Sequence, residues 1–453
     1  MNKLKRLWSN LRDGFWFLPS LIVLGSVAVA VALIQSDTAG NKQWMSRWPR
    51  LFGTSAAGAR EMLSTIAGSM MTVVGVTFSM VLVTLALASS QYTSRILRNF
   101  MRDRVTQIVL GIFAGIFTYC LIVLGTIRGE DAAGFIPSLA VAFGVVLAIS
   151  GIGALIFFIH HIAYSIQASS IIDSVADETL AAIDRLFPQK LGQASVDDPD
   201  DQPALLLPER NWQAIPARVN GYIQSVDNAM LLHLARTHQT VVRMERGIGG
   251  FVVQNTTLAS LALEVPPEPE LIAALQACYR IHRHRTVQQD AAFGIRQLVD
   301  MALRALSPGF NDTTTAVMCV DYLTAILARL VVRPIPSSHR YEEGELRVIA
   351  IGSTFADLTA EAFDQIRVSA QGNVAVILRL LNAIEIITGL AASASQRRAL
   401  REQMEWIAEL AARTIESPHD RTRFEQRLAR VRKAFDTEPL SFTPAKEEEI
   451  TTS

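Results

Sequence analysis

The chain has few of the residues from which covalent or metal chemistry is built. Its three cysteines, Cys120, Cys278 and Cys319, lie far apart and form neither a zinc nor a redox spacing. They provide no disulfide framework, which suits a reducing compartment. The sequence also lacks a glycine-rich phosphate loop, a nucleophile elbow and a His-Glu-x-x-His helix. We therefore expect no enzyme, no metal site and no cofactor.

A concentrated basic region is also missing. The 42 Lys and Arg residues equal the 42 Asp and Glu residues in number. Residues 1–168 hold 13 of the basic and 6 of the acidic residues, which leaves 29 basic and 36 acidic residues in the remainder. Nucleic-acid binding proteins concentrate basic residues on one face. This distribution therefore predicts no nucleic-acid partner.

Long apolar runs, in contrast, are plentiful. Half of the residues are hydrophobic, and the mean hydropathy is +0.27. A membrane-spanning helix needs about 20 mostly apolar residues. Four segments in the first third of the chain meet this requirement, at 17–35, 62–89, 108–127 and 135–159. The sequence therefore predicts an α-helical membrane domain of four transmembrane helices over 1–168, with the lipid bilayer as its partner.

The charges of the connecting segments predict the orientation. Four basic residues precede the first span, and Arg95, Arg98, Arg102 and Arg104 follow the second. Positive loops stay on the cytoplasmic side. We therefore expect a multi-pass membrane protein with both termini in the cytoplasm, although the basic residues between spans one and two would face outward.

The second span carries a stripe of hydroxyl groups. Thr65, Ser69, Thr72 and Ser79 are spaced by four, three and seven residues, which places them on one face of a helix. Such a stripe packs helices tightly, or it lines a water-filled path. Both interpretations stay open. His160 and His161 follow the fourth span, where they are either passive or pH-sensing.

The remaining chain predicts an α+β cytoplasmic region in several parts. A helical stalk that continues span four and an acidic linker occupy 169–214. Short strand patterns and the glycines after Arg246 predict a small β unit over 215–265, similar to the barrel-sandwich of biotinyl and lipoyl carrier domains. It has no lysine at the turn that would carry a prosthetic group. A helical domain over 266–440 and a disordered tail over 441–453 complete the chain.

A polar loop joins two predicted helices of that domain. Asp312 is a good N-cap for the second helix. A stable helical hairpin explains the pattern, and so does a polar ligand site. The candidate residues for such a site are Gln289, Asp290, Arg296, Ser307, Asn311 and Asp312. The nearby His282 and His284 lack the spacing and partners of a zinc site.

Several stretches resemble a family of bacterial predicted membrane proteins defined as domain of unknown function 2254. They include Phe-Ile-His-His at 158–161 and Ala-Leu-Ser-Pro-Gly-Phe-Asn-Asp at 305–312, together with 88–95, 102–104, 220–227 and 289–296. The resemblance covers nearly the whole chain. One departure is Thr313, where the family pattern has proline. The resemblance supports the membrane topology and implies a location in the bacterial inner membrane. It implies no activity or catalytic residue.

Two functions fit these features. The first is a homo-oligomeric channel or pore for small ions, lined by the second span and regulated by the cytoplasmic domain. Four spans are fewer than most secondary transporters have, so such a pore would form between subunits. The alternative is a non-transporting sensor or scaffold that recruits partners through its cytoplasmic domain.

Overall fold

The computed structural model describes residues 16–38, 55–91, 103–128, 135–187, 211–335, 338–342 and 344–437. The acidic linker and the C-terminal tail over 441–453 lie outside these residues. The chain divides into two compact units, Met1–Ser170 and Ile171–Ser453. We describe each unit by itself.

Long helices build the first unit. They are α1 (Phe17–Thr38), α2 (Ala56–Gln91), α3 (Arg104–Thr126) and α4 (Ser138–Ser165). Helix α3 is central, because it packs against each of the other three. A Cβ atom at Gly111 would lie 2.8 Å from Cδ1 of Ile22, and one at Gly115 would lie 2.5 Å from Oγ of Ser26. Glycines four residues apart therefore let α1 and α3 approach closely, as small residues do between membrane helices.

Polar contacts join the helix ends in this unit. The Asp37 carboxylate at the end of α1 accepts hydrogen bonds from the amides of Leu139 (3.1 Å) and Ala140 (3.2 Å) in the first turn of α4. The buried Tyr119 hydroxyl donates to the Ala140 carbonyl at 2.7 Å. Because a helix N-terminus has unsatisfied amides, Asp37 serves as a cap supplied by a neighbouring helix.

Helix α5 (Ala168–Leu186) follows α4 but does not continue it. Helix α4 ends at Ser165, and the amide of Ile166 closes its last turn. The expectation of a continuous stalk was therefore wrong. From Ile171 onward α5 belongs to the second unit, where Ile172, Val175 and Ile183 are buried.

Among the described residues, eight short strands and two helices form the first part of the second unit. They are β1 (Trp212–Pro216), β2 (Gly221–Val226), α6 (Asn228–Thr237), β3 (Val242–Met244), β4 (Phe251–Val252), β5 (Thr257–Ala262), α7 (Pro269–Cys278), β6 (Tyr279–His282), β7 (His339–Glu342) and β8 (Glu345–Ile349). One sheet has the order β1-β5-β3-β8-β7 and the other β4-β2-β6. Of these pairings, β3 with β8 is parallel.

The sequence located strands within 215–265 but not their partners. Strands β6, β7 and β8 all lie beyond residue 265, and each pairs with a strand of this segment or with β8. Ile215, Ile223, Leu231, Val242 and Leu261 form part of the shared core. The likeness to a barrel-sandwich stays a prediction.

Helices make up the rest of the second unit. A short 3-10 turn (Val287–Gln289) precedes α8 (Ala291–Ala305), α9 (Thr313–Val331), α10 (Phe355–Ser369), α11 (Val374–Leu390), α12 (Ala394–Thr414) and α13 (Pro418–Asp436). Helix α8 packs on α9 and α10, and α11 packs on α9, α12 and α13.

Five helices of the described residues are long and apolar enough to cross a membrane. They are Phe17–Thr38, Ala56–Leu87, Arg104–Thr126, Ser138–Ser165 and Thr313–Val331. The first four coincide with the segments that the sequence predicts as spans. The fifth, α9, lies in the second unit.

Candidate functional site

The hydroxyl stripe of α2 lies on the side of the helix that the bundle leaves exposed. Thr65, Ser69, Thr72 and Ser79 are all exposed. Leu63, Ala67 and Met70, which lie about half a helical turn away at roughly 100° per residue, are buried in the core of the first unit. The stripe therefore does not pack α2 against α1, α3 or α4.

Two glycines leave open space on this exposed face. A Cβ atom at Gly68 or Gly75 would have no neighbour within 4 Å. The Thr72 hydroxyl donates to the Gly68 carbonyl at 3.1 Å, which satisfies its donor within the helix and leaves acceptor capacity directed outward. The helix itself is therefore thin on this face, and hydroxyl oxygen atoms lie along it.

Two further threonines of α2 point to the opposite, buried side. The Thr84 hydroxyl donates to the Met80 carbonyl at 2.8 Å. The Thr77 hydroxyl is buried and has no hydrogen-bond partner among the described residues. Helix α2 therefore carries hydroxyl groups on both sides. The four hydroxyl groups of the predicted stripe are exposed and do not pack within the bundle.

At the start of α3, Asp103 meets one of the two predicted histidines. Its carboxylate caps the helix through the amides of Val105 and Thr106, and it accepts a 2.5 Å hydrogen bond from the Thr106 hydroxyl. His161 Nε2 on α4 lies 2.9 Å from Asp103 Oδ2. Burial acts to raise the pKa of Asp103, but the hydrogen bonds from Thr106 and His161 hold it below its ordinary value of 3.8.

His160 has a different environment from that of His161. Its side chain is exposed, whereas the His161 ring also contacts Ser165 Oγ at 3.4 Å and stacks on Phe157. The structure therefore gives an ion-pair partner to His161 alone among the two candidates in the described residues. Whether either histidine senses pH stays a prediction.

Gln289 and Asp290 connect the β part of the second unit to α8. The Val226 amide donates to Gln289 Oε1 at 3.2 Å. The buried Asp290 carboxylate accepts from the α8 amide of Phe293 and from Nε and Nη2 of Arg285, at 2.8 and 2.9 Å. Each polar group thus has a structural partner.

The loop at the other end of α8 is closed by its own hydrogen bonds. The amides of Phe310 and Asn311 donate to the Ser307 carbonyl. Asp312 caps α9 through the Thr315 amide at 3.0 Å, as the sequence predicted. Hydrogen bonds from the Thr315 hydroxyl and amide lower the pKa of Asp312. Asn311 has a φ of 47°, a conformation that asparagine tolerates better than most residues.

The six polar candidates do not meet in one site. Gln289 and Asp290 precede α8, whereas Ser307, Asn311 and Asp312 follow it. A helix of 15 residues separates the two groups by about 22 Å. Arg296, between them, pairs with Asp300 at 3.0 Å and with Glu361 at 3.3 Å. Among the residues that the structure describes, no three His, Cys, Asp or Glu side chains are grouped as metal ligands.

Sequence reasoning missed an exposed face on the three-stranded sheet. Phe251 of β4, Tyr222 of β2 and His282 of β6 lie directly opposite one another across the strands. The rings of Tyr222 and Phe251 meet edge to face at 5.0 Å. The signal was present in 279–285, which reads Tyr-Arg-Ile-His-Arg-His-Arg. Its alternation of polar and apolar residues indicates a half-exposed strand.

These features define a membrane protein with an apolar helical unit and a separate α+β unit. The chain belongs to the family described as predicted membrane protein (DUF2254), whose model matches residues 12–385. It is also 33% identical to uncharacterized protein Mb1321c of Mycobacterium bovis and to uncharacterized protein Rv1290c of Mycobacterium tuberculosis. Each match extends over 433 residues, which cover 93% of this chain and 80% of the relative. No solved structure matches.

Proposed function

We propose that the protein is an oligomeric ion channel of the inner membrane, lined by the second span and regulated by its C-terminal unit. The observation that carries this proposal is the exposed hydroxyl face of α2. Its four hydroxyl side chains and two glycines share this face with Val76 and Val83, which are 60% and 56% exposed. Contact with other copies of the chain, around a hydrated path, would give these hydroxyl groups partners.

The proposed topology has four spans with both termini in the cytoplasm. Helix α9 is excluded from the spans because it carries charged residues that are paired within the second unit. Asp321 forms an ion pair with Arg379, and Arg329 contacts Asp184. Charged side chains are costly at the centre of a bilayer. The basic residues before α1 and between α2 and α3 support the orientation.

The test is ion flux in liposomes that contain the purified full-length protein. Potassium, sodium, chloride and proton movement are compared with those in empty vesicles. We expect selective flux from the native protein and its loss in the double variant Thr72→Leu and Ser79→Leu, because two bulky apolar groups would narrow and dry the path. Oligomer size in detergent is measured in parallel, so that lost flux can be separated from lost assembly.

A matched control uses the same substitution at the same spacing. Met71 and Phe78 are 56% and 45% exposed and lie about 100° around the helix from Thr72 and Ser79. The double variant Met71→Leu and Phe78→Leu should retain flux. Unchanged flux in the Thr72→Leu and Ser79→Leu variant would reject the lining that we propose.

A sensor or scaffold without transport is the second candidate. It is favoured by the size of the second unit, which has its own core and includes residues 171–453. If intact oligomers moved none of the four ions, this result would support the sensor or scaffold over the channel.

A further inference from the structure

Three stretches of the second unit carry positive charge only. Residues 217–226, 246–263 and 279–289 contain no aspartate or glutamate, although acidic residues outnumber basic ones in the chain after residue 168. The same stretches contain Arg218, Arg246, Arg280, Arg283 and Arg285, together with His282 and His284.

Strand pairing brings the three stretches together. β2 lies between β4 and β6, so that each stretch supplies one strand of the three-stranded sheet. Tyr222 is opposite Phe251 on one side and His282 on the other. Residues directly opposite each other share a face of the sheet. Arg280 shares it too, since it lies two residues before His282 in the same strand.

Large apolar side chains are exposed beside these cations. Phe251 is 52% exposed, and Val219 and Val253 are each 50% exposed. Val219 precedes β2, and Val253 follows β4 directly, so both lie at the end of the sheet where β2 begins. Arg280, His282, Arg283 and His284 are exposed as well. We call the set Tyr222, Val219, Phe251, Val253, Arg280, His282 and Arg283 the basic aromatic face.

Three of the carboxylates that flank these stretches in the sequence have other partners. Asp290 is held by Arg285, and Asp227 caps α6 through the Met230 amide. Glu245 accepts from Ser260 at 2.6 Å and from Arg243 at 2.7 Å. Arg280 Nε instead donates to His282 Nε2 at 3.3 Å. Burial and the positive charge of Arg280 lower the pKa of His282, which keeps the ring neutral as an acceptor for Arg280.

We propose that the basic aromatic face docks on a leaflet of anionic phospholipid. Cations that alternate with exposed aromatic and aliphatic side chains are typical of surfaces that lie in the headgroup region of a bilayer. Arg280 and Arg283 contact lipid phosphates, and Phe251, Val219 and Val253 enter the boundary with the acyl chains. A soluble phosphate would use the arginines but not the exposed apolar groups. The same chain carries apolar helices long enough to span a membrane, which keeps the face near lipid.

The test places a fluorescent label on this face in the full-length protein. The variant Val253→Cys is labelled with an environment-sensitive dye, and the native Cys120, Cys278 and Cys319 are buried. The protein is reconstituted into vesicles of phosphatidylcholine alone or with 30% phosphatidylglycerol, a lipid composition of our choosing on the order of bacterial anionic content. We expect a blue shift, and quenching by brominated acyl chains, in the anionic vesicles alone.

Charge reversal should remove this signal. Each basic residue near an anionic surface contributes about fivefold to partitioning, so reversing two of them should lower the equilibrium constant for docking by about 25-fold or more. The variant is Arg280→Glu with Arg283→Glu in the labelled protein. Arg280→Lys with Arg283→Lys keeps the charge and should retain docking. If the lysine pair lost the signal as fully as the glutamate pair, the charge argument would be overturned.

A second label position controls for general effects of the lipid. Val368 on α10 is 58% exposed and lies outside the basic aromatic face. Dye at Val368→Cys should report the same environment in both kinds of vesicle. Equal signals from dye at position 253 in neutral and anionic vesicles would overturn lipid docking. A blue shift caused by short single-stranded RNA in neutral vesicles would assign the face to nucleic acid and would overturn the proposal as well.

Discussion

Gly294 lies where the second unit has no room for a side chain. A Cβ atom at this position would be 2.0 Å from Oγ1 of Thr179, whose hydroxyl donates to the Val175 carbonyl. Helices α5 and α8 therefore touch through a bare backbone at this position. The close approach explains why a helix interior contains glycine, a residue that otherwise lowers helix stability.

We expect Gly294→Ala to lower the free energy of unfolding by about 1 to 3 kcal/mol, because overpacking displaces the two helices. Gly389→Ala on α11 is the control, since a Cβ atom there meets nothing within 4 Å. The control should leave stability unchanged or raise it by up to about 1 kcal/mol. Denaturant unfolding measures both. Adding Thr179→Ala should recover part of the loss, and no recovery would contradict the steric explanation.

The N-cap of α9, Asp312, predicts that the free energy of unfolding depends on pH. Since hydrogen bonds from Thr315 lower the pKa of Asp312 in the folded protein, its carboxylate stabilises the fold above the pKa of the unfolded chain. This contribution is lost as the pH falls through the lower, folded value. Asp312→Ala should therefore cost about 1 kcal/mol at pH 7 and progressively less below about pH 4. Asp312→Asn keeps a neutral cap, so its stability relative to Asp312→Ala should stay constant with pH.

At the scale of the element, local patterns predicted single helices and strands well. Asp312 caps α9 as the sequence indicated, and Asp227 caps α6 in the same way, because an N-cap depends on residues within one turn. The partners of the strands were not predictable in this way. β8 pairs with β3 about 100 residues earlier in the chain, and no local pattern encodes that register. The six polar candidates do not lie together for a related reason, since α8 separates residues that the sequence analysis had grouped.

The close packing of α1 against α3 can be tested by placing a larger side chain between the two helices. Gly111→Leu should weaken the bundle, because even a Cβ atom would lie 2.8 Å from Ile22 and 3.0 Å from the Pro19 backbone. In the same helix, a Cβ atom at Gly125 meets nothing within 4 Å, so Gly125→Leu serves as the control. We expect the midpoint of thermal unfolding in detergent to fall by several degrees for Gly111→Leu alone. Equal midpoints would show that close packing there does not matter.

At the scale of the whole molecule, the spans were easier to predict from the sequence than the place of α5. Sequence hydropathy located the four apolar helices of the first unit, because such runs are strong signals. It placed α5 in a separate stalk, because helical spacing alone does not show which surface covers a helix. The contacts of α5 within the second unit include those of Arg333, which is 5% exposed. It donates to the carbonyls of Ile183 (3.3 Å) and Phe187 (2.7 Å) and contacts Asp184 at 2.5 Å.

The contacts of Arg333 therefore predict that a C-terminal fragment needs α5 for full stability. A fragment of residues 168–437 keeps α5, whereas one of residues 211–437 lacks α5 and the three acceptors of Arg333 at 183–187. Deleting α5 also removes Ile172, Val175 and Ile183 from the core, so the shorter fragment should unfold at lower urea concentration. Arg333→Met should destabilise the longer fragment, because it removes these hydrogen bonds, and should change the stability of the shorter one much less, because the side chain already lacks these partners there. Equal destabilisation of both fragments would mean that α5 is not the partner of Arg333 in solution.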